Sequence, residues 1–99
     1  MAVLFVYEAI GNSGELLKKY QAATNKFRDP KYQKGLIAHI CLETPKGIQV
    51  LNLMESSEHM NKLINDPDLG KVVDDVDLEA VDVSYSQYHY KVHDFYVKA

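Results

Sequence analysis

Tryptophan is missing altogether from this chain of 99 residues, cysteine occurs once, and proline only three times. A lone thiol, Cys41, cannot close an intrachain disulfide, so the fold rests on packing and hydrogen bonds, as suits a reducing compartment. An excess of basic residues is missing too. Lys and Arg number 11 against 14 Asp and Glu, giving a net charge of −3 and leaving no electrostatic footprint for nucleic acid. Long hydrophobic runs are absent. The apolar opening MAVLFVY meets Glu8 without a basic leader, so neither a signal peptide nor a membrane span is expected, and the expected location is cytoplasmic. No low-complexity stretch or internal repeat interrupts the chain, and 99 residues suit one domain, 1–99. What is present is ordinary globular material, 46% hydrophobic and 25% charged.

Residues 2–8 are apolar on both faces and rich in Val, Phe and Tyr, which fits a strand covered on both sides. Gly11 to Gly14 break it, with Asn12 and Ser13 equally suited to cap a helix and Glu15 placed for a capping box. Leu16, Leu17, Tyr20, Ala23, Thr24 and Phe27 then form the apolar stripe of a four-turn helix, ended by Asp29-Pro30. Residues 35–44 and 48–55 read as two strands of a hairpin around Pro45-Lys46-Gly47. Ser56 caps a second helix carrying Met60, Leu63 and Ile64 inward. Pro67 breaks it, and Leu69, Val72, Val73 and Val76 continue the helical stripe. Val81, Val83 and Tyr85, then Tyr88, Tyr90 and Val92, alternate as strand, with the change of parity implying a bulge or bend near Ser86-Gln87.

The element order β-α-β-β-α-β is that of a ferredoxin-like α+β domain, an antiparallel sheet with helices on one face. Its other face poses a physical problem. Strand one is apolar on both sides, and plain alternation sets Ile37, Cys41, Leu51 and Leu53 opposite Leu36, Ile40, Val50 and Met54. The chain is too short to supply another layer, so a second copy is the simplest cover and a homodimer is expected.

The stretch 35–63 carries a resemblance: Gly35-Leu36 with His39, then Gly47, then Met54-Glu55-Ser56 leading into a helix. With Glu8, Gly11, Ser13 and Glu15 before it and Val92-His93-Asp94 after, this pattern resembles the antibiotic-biosynthesis-monooxygenase-like, dimeric α/β-barrel superfamily. The resemblance implies that fold and a dimer. It leaves activity open among cofactor-free quinone-forming monooxygenases, heme-degrading enzymes, lactone isomerases, chlorite-handling heme proteins and members without a known role. Met54 stands where many relatives carry tryptophan, and Val73 falls near the position of the heme-ligating histidine. Valine cannot ligate iron, so no heme is expected.

His39, in the middle of an apolar strand, is the leading candidate for an acid or base working near neutral pH. Asn52, between Leu51 and Leu53, is placed to hold a developing oxyanion. Either residue serves equally well as a bonded structural group within the sheet, and sequence does not fix whether the two share a face. Met54, Tyr7 and Tyr20 are expected to line a pocket for a small apolar or aromatic ligand. His89 and His93 lie four apart in a strand-like segment, about 13 Å in extended chain, too far for one zinc ion. The acidic run from Asp74 to Asp82 lacks calcium-loop spacing, and His59 reads as a surface residue. No metal or cofactor is therefore expected. Tyr85, Tyr88, Tyr90, Phe95 and Tyr96 suit a subunit contact or a pocket lining. Two functional classes follow: a cofactor-free monooxygenase-like oxidoreductase or isomerase acting on an aromatic or apolar small molecule, and a non-catalytic dimeric binding or structural module.

Overall fold

Apolar side chains on both faces suit a strand to the inside of a sheet, and the first strand, β1 (Val3–Ile10), lies there. In the computed structural model, which describes residues 1–68 and 84–98, it is followed by α1 (Ser13–Phe27), β2 (Leu36–Thr44), β3 (Gly47–Met54), α2 (Ser57–Ile64) and β4 (Ser84–Lys91). The strands form one antiparallel sheet in the order β2-β3-β1-β4, the ferredoxin-like arrangement expected from the element order. The stripe at Leu69, Val72, Val73 and Val76, the acidic run, and Val81 and Val83 lie outside the described residues. Among the described residues no helix is long and apolar enough to cross a membrane.

Of the two candidate caps for α1, Asn12 takes the position. Its Oδ1 accepts from the Glu15 amide at 3.0 Å, and Ser13 becomes the first helical residue. Ser56 caps α2 in the same way, accepting from the His59 amide at 3.2 Å. After α1 the chain makes an unexpected 3₁₀ turn over Pro30–Tyr32, capped by Asp29, which buries Tyr32 edge-on to Phe27. Where β3 leaves the hairpin, Gly47 adopts φ +156° and lies so close to β1 that a Cβ there would run into the Ala9 carbonyl oxygen.

One sheet face packs under the helices and divides into two apolar clusters. Ala9, Ile48 and Val50 meet Leu16 of α1, while Phe5 and Met54 meet Met60 of α2. Leu16, Ile48 and Met54 are completely enclosed, each contributing about 1.5–3 kcal/mol of burial. Tyr7 belongs to both clusters and links them across the middle of the sheet.

The register of β2 corrects the face assignment made from plain alternation. The ladder slips between Leu36 and Ala38, so that Leu36 pairs with Met54 and Ala38 with Leu53, leaving Ile37 as a bulge. Beyond it Cys41 pairs with Val50 on the helix side, and Ile40 pairs with Leu51 on the open side, the reverse of the expected placement. The bulge expected at Ser86-Gln87 does not form: β4 pairs with β1 without a slip from Ser84 to Lys91. That strand also ends at Lys91, so His93 lies beyond it and only His89 is a strand residue, its ring 4.8 Å from that of Phe5.

Candidate functional site

The hairpin register decides where His39 lands. Past the bulge His39 pairs with Asn52 of β3, and both turn to the face that carries the helices. There His39 Nδ1 lies 2.6 Å from Asn52 Oδ1. From α1, Tyr20 sits one turn beyond the buried anchor Leu16, on the same stripe, and its hydroxyl lies 2.6 Å from His39 Nε2. The Tyr20 and His39 rings are almost parallel, 6° apart in plane, with centroids 5.9 Å apart. Three residues from three elements thus form one chain of hydrogen bonds, Tyr20–His39–Asn52.

The donors and acceptors of this chain follow from its chemistry. A carboxamide oxygen only accepts, so His39 carries its proton on Nδ1 and donates it to Asn52. In the neutral form of the ring Nε2 presents a lone pair, to which the Tyr20 hydroxyl donates. Asn52 Oδ1 is committed to His39, which leaves the amide NH2 as its donor toward any ligand. Asn52 and Tyr20 are half-buried, and His39 between them is exposed.

The remaining residues expected at the pocket occupy different situations. Tyr7 is half-buried on the same face, packed against both apolar clusters. Met54 is wholly enclosed against Phe5 and Met60, so it forms solid core behind Asn52 and offers no surface of its own. Cys41, two residues beyond His39 on the helix side, packs against the α1 cluster, and burial raises its thiol pKa.

His59 differs from its expected surface role. It is half-buried, its Nδ1 lies 2.7 Å from Ser56 Oγ, and its ring covers Gly35 so closely that any Cβ there would collide with it. Gly35 itself needs φ +75°. The Gly-Leu start of β2 and the Ser-capped start of α2 are therefore one packed unit. A histidine three residues after a capping serine is the signal that sequence offered for this contact.

The sequence matches no protein-family model and no curated protein. Its fold is similar to that of several solved structures. SnoaB, a cofactor-independent oxygenase from Streptomyces nogalater, aligns with a TM-score of 0.71 at 14% identity over 95% of each chain. A monooxygenase of Streptomyces coelicolor in complex with nanaomycin D aligns with a TM-score of 0.69 at 14% identity, over 99% of this chain and 92% of that one. A dimeric ferredoxin-like protein from an uncultured marine organism gives 0.64 at 12% identity, over 98% and 92%. The chain thus shares the fold of these oxygenases and of the dimeric ferredoxin-like protein. Likeness at this identity is a statement about fold.

Proposed function

We propose that the chain is a cofactor-free, monooxygenase-like oxidoreductase acting on an aromatic or otherwise apolar small molecule. Its polar groups are His39 and Asn52, with Tyr7 and Tyr20 beside them and Met54 as the packed floor. One observation carries the reading: the Tyr20–His39–Asn52 chain, a basic nitrogen held in one tautomer on a face that is otherwise apolar. An apolar site needs few polar groups to orient a ligand, and strands hold them firmly. The cofactor-independent oxygenase and the nanaomycin-bound monooxygenase of like fold support it.

The chemistry asks little of the protein. Removing a proton from an activated ring CH2 gives a carbanion that molecular oxygen itself can oxidise. One oxygen atom becomes the new ring carbonyl and the other leaves as water with both hydrogens, so no external reductant is consumed. His39 supplies the base, and the Asn52 NH2 group meets the oxygen on which charge develops.

The working unit in this proposal is a homodimer in a reducing, cytoplasmic setting. On the sheet face away from the helices Ile40 is 50% exposed, Leu42 40%, Tyr88 43% and Tyr90 51%. Leu4, Val6, Leu51 and Leu53 lie on the same face by register, a contiguous apolar surface of the kind a partner covers. The dimeric neighbour of like fold supports a second copy as that cover.

Anthrone in air-saturated buffer tests the activity. The purified chain is expected to consume oxygen and form anthraquinone at a rate unchanged by chelator, and His39→Ala is expected to lower that rate about a hundredfold. Oxygen uptake no faster than in protein-free buffer would refute the oxidative reading and favour a binding module.

A further inference from the structure

Both ring nitrogens of His39 are already bonded, Nδ1 to Asn52 and Nε2 to Tyr20, each at 2.6 Å. A ligand arriving at this site therefore meets no open nitrogen on the imidazole, although the residue itself is exposed. What it meets is the oxygen of Tyr20, whose proton is engaged with His39 and whose lone pairs are not consumed by donating it. We infer that Tyr20, rather than His39, is the catalytic residue that touches the substrate, and that His39 receives the substrate's proton through it. The inference rests on the site reading given above.

The step balances without any change in oxidation state. The substrate's acidic O–H or C–H bond breaks and its proton forms a new O–H bond at Tyr20. The original Tyr20 O–H bond breaks at the same time and that proton binds His39 Nε2. The products are a deprotonated substrate, a neutral tyrosine and an imidazolium. Every hydrogen bond survives the transfer. Nδ1–H still donates to Asn52 Oδ1, and Nε2–H now donates to Tyr20 where it had accepted. A relay needs this property, because no group of the chain is left unpaired at either end of the step. Asn52 is then a positioning residue for the imidazole, since its oxygen selects the tautomer that leaves Nε2 basic.

Facing His39 are Tyr20 from α1 and Asn52 from β3, with Cys41 further along β2 and Tyr7 of β1 on the same sheet face. Burial keeps the Cys41 thiol protonated. The near-parallel rings of Tyr20 and His39 hold the donor and acceptor in one geometry, so the transfer needs no rearrangement of either.

The test compares the wild-type chain with Tyr20→Phe and His39→Gln, using two probes. Phe at 20 keeps a ring to stack on His39, and Gln at 39 keeps an acceptor for Tyr20 but has no basic nitrogen. The first probe is 4-nitrophenol, bound below its own pKa, whose absorbance reports ionisation. The second is anthrone turnover in air.

The wild type is expected to shift bound nitrophenol to its phenolate. Both variants should bind it within about threefold of wild type and leave it protonated, and Tyr20→Phe should lose about a hundredfold in anthrone kcat with KM within about threefold. Placing 3-fluorotyrosine at position 20, which alters acidity without altering shape, should displace the pH profile of kcat, a result that a purely structural tyrosine would not give. If Tyr20→Phe ionises nitrophenol and oxidises anthrone as the wild type does while His39→Gln does neither, the inference is overturned and the proposed function stands. If the wild type ionises nitrophenol through Tyr20 but consumes no oxygen, the relay stands and the oxidative reading falls. A wild type that leaves bound nitrophenol protonated overturns the relay.

Discussion

Replacing Ile40 with glutamate separates the monomer's needs from the dimer's. Ile40 pairs with Leu51 on the sheet face away from the helices, and in the single chain half of it is exposed. Full burial of an isoleucine side chain is worth up to about 3 kcal/mol, so the exposed half holds back about 1.5 kcal/mol until something covers it. A two-fold symmetric interface counts the residue twice, and Ile40→Glu therefore removes about 3 kcal/mol from association before any cost of desolvating the carboxylate. That corresponds to about a 150-fold rise in the dimer dissociation constant. In the monomer the same change is a surface substitution, with a stability effect of about 0.5 kcal/mol or less. Sedimentation equilibrium over a dilution series measures the first quantity and urea unfolding of the dissociated chain the second. A dissociation constant within threefold of wild type would refute the face as the interface. So would a loss of several kcal/mol from the monomer itself, since that would place Ile40 in the core.

Two further outcomes follow from burial. Met54→Ala, at a side chain with no exposed surface between Phe5 and Met60, is expected to cost about 3 kcal/mol and lower the melting temperature by about 12–24 °C, as calorimetry would record. A loss below about 1 kcal/mol would show that Met54 borders open space. Cys41 is expected to react with iodoacetamide more slowly in the native chain than in urea, with the native rate rising only as pH passes beyond the ordinary thiol range, because burial raises its pKa. Its folded value lies above its unfolded one, so its contribution to stability is present at acid and neutral pH and lost as pH climbs through that range. Equal native and unfolded alkylation rates at mildly alkaline pH would contradict the burial.

The order of elements was legible because each announces itself locally. An apolar run without alternation marked β1, a Leu16–Tyr20–Ala23–Phe27 stripe marked α1, and Pro45-Lys46-Gly47 marked the hairpin. Capping was legible only as a choice, since Asn12 and Ser13 are chemically equivalent candidates, and the geometry of the chain entering α1 selects Asn12. The 3₁₀ turn at Pro30–Tyr32 is not legible in sequence, because a proline after a helix reads as a stop, with no sign that the next residues wind again to bury Tyr32. The half-buried place of His59 is hidden in sequence for a related reason. Its neighbours Glu58 and Asn61 are exposed, and only the glycine at 35, distant in sequence, makes room for its ring.

The site shows most plainly where one-dimensional reading stops. His39 and Asn52 stand out as polar residues inside apolar strands, but their meeting depends on the hairpin register, which runs unbroken from Thr44 and Gly47 to Ala38 and Leu53 and slips only at Ile37. Strict alternation would put Leu36 and His39 on opposite faces, because three residues is an odd step. The bulge absorbs one residue, so Leu36 can pack with Met54 and Met60 while His39 still turns toward Tyr20. Side-chain volume offers a reason. Leu36 completes the Phe5–Met54–Met60 cluster, and unbroken alternation would have forced a choice between filling that cluster and presenting the imidazole. The irregular ladder satisfies both, placing one polar chain beside two closed apolar clusters. Apolar packing fixes the backbone, and the hydrogen bonds from Asn52 through His39 to Tyr20 tie β3, β2 and α1 together across it.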